Sequence, residues 1–211
     1  MKRRVIQIIF ATIIFVWVNT SSGAIINPSF ESLHEGYMPN GNYLSNTIYS
    51  GMPDDWSWRN FGATNGHVTS PLSNPIDWVS DGGYSLYVFA GIGSNHSVGD
   101  FVEFYQDVDM TGMSDLLFDV HLRGGDYTNS YLAIDSQIMW INNQAGTFID
   151  TTIDISNFSG VHEIELGVEV FQDYGWHADG WTYFDNLRLV PEPGTVLLFG
   201  LGGLILRRRR A

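Results

Sequence analysis

Two tryptophan-containing segments place aromatic rings next to hydrogen-bonding groups. Trp58 is followed by Arg59, and Trp176 is followed by His177 and Asp179. The C–H groups of a pyranose pack against an aromatic face, while its hydroxyls need polar partners such as these side chains. We therefore expect these five residues to contact a carbohydrate ligand. The alternative is that the tryptophans only pack in the core or in loops.

The sequence contains none of the hydrolase active-site motifs that we considered. Glycoside hydrolysis needs two carboxylates across a cleft, and 23 acidic residues are available. However, the chain lacks E-x-D-x-x-E, G-x-S-x-G and H-E-x-x-H motifs and has no cysteine. Glu163, Glu165 and Glu169 have the spacing expected for the solvent face of a strand. We expect a non-catalytic protein, with a β-sandwich glycoside hydrolase as the less favoured alternative.

Period-two alternation of apolar and polar residues dominates the middle of the chain. It predicts inward-facing rows at 116, 118, 120 and 122 and at 162, 164, 166, 168 and 170. The predicted strands cover 84–89, 98–108, 116–123, 131–138, 147–155, 161–170 and 181–190. The region 35–75 is rich in Gly, Asn, Pro and Ser, and we expect long loops with one or two short strands there. The pattern predicts an all-β protein, an antiparallel β-sandwich of the jelly-roll type.

Charge is distributed very unevenly. Residues 25–189 contain three arginines, no lysine and 22 acidic residues, a formal net charge of −19. Nucleic acid is excluded as a partner, because binding it requires basic residues that replace counterions. Neutral ligands and divalent cations remain compatible with this balance.

Both ends of the chain resemble targeting segments. Residues 2–4 are basic, 5–18 are mostly apolar and 20–24 are small, which is typical of a signal peptide cleaved after Gly23 or Ala24. We therefore expect residues 1–24 to be removed, leaving a single domain at 25–189.

The last segment, 190–211, has three parts. It combines a Pro-Glu-Pro triplet at 191–193, an uncharged apolar stretch at 195–206 and an arginine cluster at 207–210. As a helix, the apolar stretch spans only ~18 Å of a ~30 Å hydrocarbon core, so it would be a weak transmembrane anchor. The arginines would stay on the cytoplasmic side. A simple C-terminal tail anchor is the alternative.

This arrangement resembles the PEP-CTERM sorting signal of bacterial surface proteins, with Pro191, Glu192 and Pro193 as its motif. The resemblance implies that an exosortase-type enzyme removes the tail after transient insertion in the inner membrane. It also implies delivery to the outer surface or extracellular matrix, in a setting of exopolysaccharide and biofilm production.

The domain between the two ends resembles galactose-binding-like jelly rolls of the kind used by carbohydrate-binding modules. The resemblance rests on Asn-Pro-Ser-Phe-Glu at 27–31, Asp-Gly-Gly-Tyr-Ser-Leu-Tyr-Val at 81–88 and Phe-Asp-Asn-Leu at 184–187. It implies one structural calcium held by Glu31, Asp81 and Asp185, and calcium does prefer oxygen ligands. Asn186 departs from the pattern, since many relatives have a second Asp there.

Together these observations favour an exported protein that binds or structures extracellular polysaccharide. A purely structural matrix protein without a specific ligand is the alternative.

Overall fold

The structure, a computed structural model, describes residues 24–37, 43–44, 50–62, 64–69, 78–90, 97–123, 127–172 and 180–194. The predicted signal peptide up to residue 23 and the apolar stretch 195–206 lie outside these ranges. Within them, no helix is long and apolar enough to cross a membrane. The described elements are strands paired antiparallel in three sheets, so the all-β prediction is confirmed.

The larger sheet has seven strands in the order β1-β4-β6-β7-β14-β9-β12. These strands are β1 Leu33–His34, β4 Ser50–Pro53, β6 Thr64–Thr69, β7 Ser85–Ala90, β9 Met113–Leu122, β12 Gly146–Asp154 and β14 Gly180–Pro191. Non-consecutive neighbours, such as β14 between β7 and β9, give the crossed connections of a jelly roll.

The smaller sheet has five strands in the order β11-β10-β13-β8-β5. These strands are β5 Ser57–Phe61, β8 Phe101–Asp109, β10 Thr128–Ile134, β11 Gln137–Asn142 and β13 Val161–Val170. A separate two-stranded ribbon pairs β2 Gly36–Tyr37 with β3 Tyr43–Leu44.

The hydrophobic core lies between the two large sheets. Leu116, Phe118, Val120 and Leu122 face it from β9, and the predicted row of β13 from position 164 to 170 is also buried. Fully burying one such side chain contributes about 1.5–3 kcal/mol. The core cluster extends along the chain from Phe30 to Leu187, so the two large sheets share one hydrophobic core.

Two local predictions were wrong. The predicted strand 131–138 is a hairpin, because Asp135 and Ser136 form a two-residue turn with φ of 49° and 63° between β10 and β11. Positive φ at both turn residues gives the turn a twist that matches the right-handed twist of the two flanking strands. The region 35–75 contains β2 to β6, more strands than the one or two predicted, because its polar residues pair through the backbone.

Candidate functional site

The three predicted calcium ligands meet at one turn. Asp185 on β14 accepts hydrogen bonds from the backbone N–H of Ser80 at 2.7 Å and of Asp81 at 2.9 Å. Glu31 Oε1 accepts from the N–H of Gly83 at 2.8 Å and of Tyr84 at 2.9 Å. The first and last segments of the domain therefore hold the 80–84 turn from both sides, through Glu31 and Asp185.

The carboxylate oxygens at this turn, hydrogen-bonded as they are in the structure, do not fit a calcium site. Both oxygens of Asp185 face N–H groups, since Oδ1 also accepts from the N–H of Asn186 at 2.8 Å. Asp81 accepts from the Ser29 hydroxyl at 3.0 Å. N–H and O–H groups thus face four of the carboxylate oxygens that a cation would need, and the described residues include no group of three or more acidic or histidine side chains arranged for a metal. Calcium at Glu31, Asp81 and Asp185 stays a prediction.

Burial controls the ionisation of Asp185. The side chain is fully buried, and this burial raises its pKa to about 6, although the N–H groups of Asp81 and Ser80 favour the charged form. The carboxylate is therefore costly to ionise in the folded state.

Trp58 and Arg59 do not share a surface. They are neighbours on β5, so their side chains point to opposite faces of the sheet. Trp58 lies opposite Phe104 and packs against the hydrophobic core, whereas Arg59 lies opposite Glu103 on the outer face. This geometry favours the packing alternative for Trp58.

Arg59 is the centre of an ion network on the outer face of the five-stranded sheet. Its guanidinium pairs with Glu103, with Glu163 at 2.9 Å and with Glu165 at 3.3 Å. It also lies 4.7 Å from the Tyr105 ring centroid. The prediction that Glu165 faces solvent was wrong: its side chain is 3% exposed, because Arg59 and the neighbouring strands cover it.

Tyr131 completes this network from β10. Its hydroxyl donates to Glu103 Oε2 at 2.6 Å, and its ring crosses β13 directly above Gly167, where an added Cβ would collide with it. Burial raises the pKa of Tyr131 and also that of Glu165. Three carboxylates thus share one arginine. These contacts hold the neighbouring strands together, but keeping three carboxylates beside a single positive charge costs free energy.

The second predicted cluster cannot be placed. Trp176, His177 and Asp179 lie outside the described residues, in the segment 173–179.

A different aromatic cluster occupies the outer face of the seven-stranded sheet. We call it the aromatic face; its members are Trp78, Tyr87, Phe89, His121, Trp181 and Tyr183. Adjacent members contact one another in a continuous row with centroid distances between 5.3 and 6.1 Å. Phe89 and Tyr183 are buried, while the other four are half-buried. Two covered rings therefore support four that are partly accessible.

Polar groups border the aromatic face. The Arg123 guanidinium lies 5.4 Å from the Trp181 ring centroid, and His121 Nδ1 lies 2.7 Å from the Thr147 hydroxyl. Burial, together with the charge of Arg123, lowers the pKa of His121, so the imidazole is neutral at pH 7. The indole Nε1 of Trp181 is buried with no hydrogen-bond partner in the described part of the chain.

The sequence contained a partial signal for the aromatic face. Tyr87 and Phe89 alternate with the core residues Leu86 and Val88, and Trp181 and Tyr183 alternate in the same way on β14. What the alternation does not show is that β14 lies between β7 and β9, which brings Tyr87, Tyr183 and His121 side by side.

The C-terminal segment carries an established motif. Residues 189–210 match the PEP-CTERM protein-sorting motif, so the predicted resemblance of the C-terminal segment to this sorting signal is confirmed. The motif indicates export and transient membrane anchoring through the C-terminus. In the fold, Pro191 ends β14 opposite Met113, and the Glu192 N–H donates to the Gly112 carbonyl at 2.9 Å.

Solved structures support the sandwich assignment. The K2 cleaved adhesin domain of Lys-gingipain is 10% identical, with 80% of this chain and 99% of that one covered at a TM-score of 0.52. At this identity the likeness concerns the fold alone, and it agrees with the predicted antiparallel β-sandwich.

Two further solved structures match this chain with lower TM-scores. TmCBM61, solved in complex with beta-1,4-galactotriose, is 18% identical over 82% of this chain and 100% of its own, with a TM-score of 0.45. A cyclase from Fischerella sp. TAU is 18% identical over 82% and 98% of the two chains, with a TM-score of 0.47. No curated protein matches the sequence.

Proposed function

We propose that this protein binds or structures extracellular polysaccharide without cleaving it, and that the aromatic face is its contact surface. The observation that carries the proposal is the row of six rings outside the hydrophobic core. Rings such as Trp78, Tyr87 and Trp181 offer apolar faces to sugar C–H groups, while Arg123 and Thr147 can hydrogen-bond hydroxyls. Because Phe89 and Tyr183 are buried and pack between the more accessible rings, little side-chain entropy is lost on binding.

The charge of the domain restricts the ligand. With a net charge of −19 between residues 25 and 189, the surface repels anionic polymers. Two of the three arginines in this range already pair with carboxylates, Arg59 with Glu103 and Arg188 with Asp150. A neutral polysaccharide is therefore the expected ligand.

The PEP-CTERM motif supports export of the protein to a location where it could meet such a polysaccharide. An exosortase-type enzyme is the proposed processing partner, and the outer surface or extracellular matrix is the proposed destination after transient residence in the inner membrane. Loss of the tail there would leave the sandwich free to associate with exopolysaccharide.

Affinity gel electrophoresis of residues 25–194 against the host's exopolysaccharide and neutral glycans tests the binding. Saturable retardation should be weakened at least about tenfold by Trp181→Ala, because the large ring at the end of the row, beside Arg123, is lost. Phe61→Ala is the matched control, since Phe61 is 66% exposed on the opposite sheet. Unretarded wild-type protein that releases no sugar products would instead favour the purely structural alternative.

The hydrolase alternative needs two accessible carboxylates, and Glu103 and Glu165, which Arg59 joins, do not supply them. Their side chains are only 7% and 3% exposed, which leaves no space for a sugar between them. We propose that this network stabilises the sheet. Release of reducing ends that is abolished by Glu165→Gln would contradict this proposal.

The calcium prediction has a direct test. If calcium binds Glu31, Asp81 and Asp185 in the native state, a hundredfold excess over Kd should stabilise the fold by ~2.7 kcal/mol. Thermal melts with calcium and with EDTA measure this difference. Identical melts would reject calcium and leave the hydrogen-bonded turn as the complete arrangement.

A further inference from the structure

The Pro-Glu-Pro triplet at 191–193 is joined directly to the last strand of the sandwich. β14 ends at Pro191, which lies opposite Met113 on β9. One residue further on, the Glu192 N–H donates to the Gly112 carbonyl at 2.9 Å. The first two residues of the triplet therefore lie against the backbone of the 110–113 turn, although their side chains are exposed.

The turn that contacts the triplet is itself well fixed. The Met110 side chain is fully buried, and that of Met113 is 4% exposed. The Met110 N–H donates to the Gly160 carbonyl at 2.8 Å, and the Gly160 N–H donates to the Thr111 hydroxyl at 3.1 Å. The turn is thus tied to the core and to the connection between β12 and β13, so any separation must come from movement of the triplet.

A bulge marks the point at which β14 can separate from β9. Val190 lies opposite Asp115, whereas Pro191 lies opposite Met113, so the pairing shifts by one residue between them. Proline also has no N–H to donate to the strand ladder. A strand end with few hydrogen bonds opens at a lower free-energy cost than the middle of a strand.

The short distance between the triplet and the apolar stretch 195–206 limits access to the triplet. Gly194 is the single residue between Pro193 and this stretch. If residues 191–192 stay on β9, residues 193–194 span at most ~7 Å between the domain and the membrane, at ~3.5 Å per residue. One packed layer of an enzyme needs ~10 Å, so it does not fit there. Release of residues 191–192 extends the span to ~14 Å, which admits such a layer.

We propose that residues 191–192 must separate from β9 before the sorting enzyme can act, so that the folded domain limits the rate at which its own tail is removed. The separation breaks hydrogen bonds only and precedes the cleavage of any peptide bond. The enzyme then acts on the population of chains in which the strand end is open. This inference rests on the proposed exosortase-type processing. The attachment lengthens the time for which the folded chain stays anchored.

Removal of the tail from the full chain in its exporting host tests the proposal. Insertion of Gly-Ser-Gly-Ser between Val190 and Pro191 adds up to ~14 Å of chain, so the triplet can reach the enzyme while β14 stays paired. Pulse-chase labelling should show removal at least about tenfold faster than in the wild type, because the rate no longer depends on the open population. The same insertion between Ala145 and Gly146, between β11 and β12, is the matched control and should be processed like the wild type.

Failure of the opening step and failure of the processing give different results. Equal rates of tail removal for the wild type and the Val190–Pro191 insertion would overturn the opening step alone. Retention of the tail by both chains would contradict the proposed processing, and the inference with it.

Amide hydrogen exchange tests the attachment without the enzyme. In the full chain, purified in detergent, the Glu192 amide should exchange more slowly in the wild type than in the Val190–Pro191 insertion, since the wild type holds this amide against the Gly112 carbonyl. The Gly160 amide, which donates to the Thr111 hydroxyl, should be equally protected in both chains and serves as the control. A Glu192 amide that exchanges at the same rate in both chains would overturn the proposal.

Discussion

At the scale of single residues, the 80–84 turn shows how a local conformation depends on distant side chains. Gly82 has φ of +69°, and a Cβ added there would collide with Glu31 Oε1. Glycine is thus needed for its backbone conformation and for the close approach of Glu31. The conformation of the turn is thus held by Gly82 itself and by hydrogen bonds to Glu31 and Asp185.

We expect Gly82→Ala to lower the free energy of unfolding by about 1–3 kcal/mol, because it introduces both strain and a collision. Gly83→Ala is the control, since its added Cβ would meet only Glu31 Oε2 at an ordinary 3.7 Å. Urea unfolding of both variants measures the difference. Equal stabilities would mean that the turn moves freely.

Titration of Asp185 should make stability depend on pH. Its pKa is raised from 3.8 to about 6 in the folded state, so the native protein binds the proton more tightly than the unfolded chain does. The resulting stabilisation is complete below pH 3.8 and is lost as pH rises through about 6. We expect this group to cost on the order of 1–3 kcal/mol of stability between pH 4 and pH 7.

Unfolding at a series of pH values checks this expectation when wild type is compared with Asp185→Asn. The variant removes the titration and should show a flatter dependence on pH over this range. Subtracting the two curves also removes the opposite contribution of His121, whose lowered pKa favours unfolding on acidification. A difference between the curves that does not change with pH would contradict the assignment.

Trp58→Ala separates the two interpretations of this ring. Because Trp58 packs against the core, we expect a loss of about 2–3 kcal/mol in stability and no specific loss of glycan affinity. Melting and affinity electrophoresis of the same variant measure both quantities. A stable variant with reduced affinity would restore the ligand-contact prediction.

At the scale of elements, the β10–β11 hairpin depends on its turn. Asp135 accepts hydrogen bonds from the Glu163 N–H at 3.0 Å and contacts His162 Nδ1 at 2.7 Å, so the turn is tied to β13. The Ser136 N–H also donates to Glu165 at 2.7 Å. These bonds explain why a non-glycine pair adopts positive φ here.

Ser136→Gly should stabilise the protein by about 0.5 kcal/mol, since glycine adopts φ of 63° without strain and keeps the N–H donor. The gain is limited because glycine also increases the entropy of the unfolded chain. Ser136→Val is the opposite control and should be destabilising, because a β-branched residue tolerates positive φ poorly. Chemical denaturation distinguishes the two directions.

At the scale of the whole molecule, self-repulsion is the dominant electrostatic feature. A domain with 22 acidic and three basic residues between positions 25 and 189 should become more stable as salt screens its charges. We expect Tm to rise when sodium chloride is increased from low to physiological strength. Potassium chloride should have the same effect, and a Tm independent of both salts would show that the native charges are already balanced by bound ions.

Much of the fold could be predicted because alternation is a local property. The predicted strand 161–170 has the observed bounds Val161–Val170, and its inward row from position 164 is buried as expected. Alternation failed at residues 131–138, where a two-residue reversal preserves the polar–apolar pattern on both sides. It also failed for Glu165, because the pattern cannot show that Arg59 and Tyr131 will cover a carboxylate on the outer face.

The sorting motif, the strand-rich character of the domain and its acidic charge could all be predicted without the structure, since they are properties of composition and short-range order. The resemblance to galactose-binding-like domains also singled out Glu31 and Asp185, which the fold brings to the two sides of the 80–84 turn. Three features became visible only in the folded protein: Trp58 packs against the core, the outer face of β7, β9 and β14 carries a row of rings, and β11 lies at a sheet edge. The physical reason is that these features depend on which strands become neighbours, and strand order arises from packing two sheets over the whole chain.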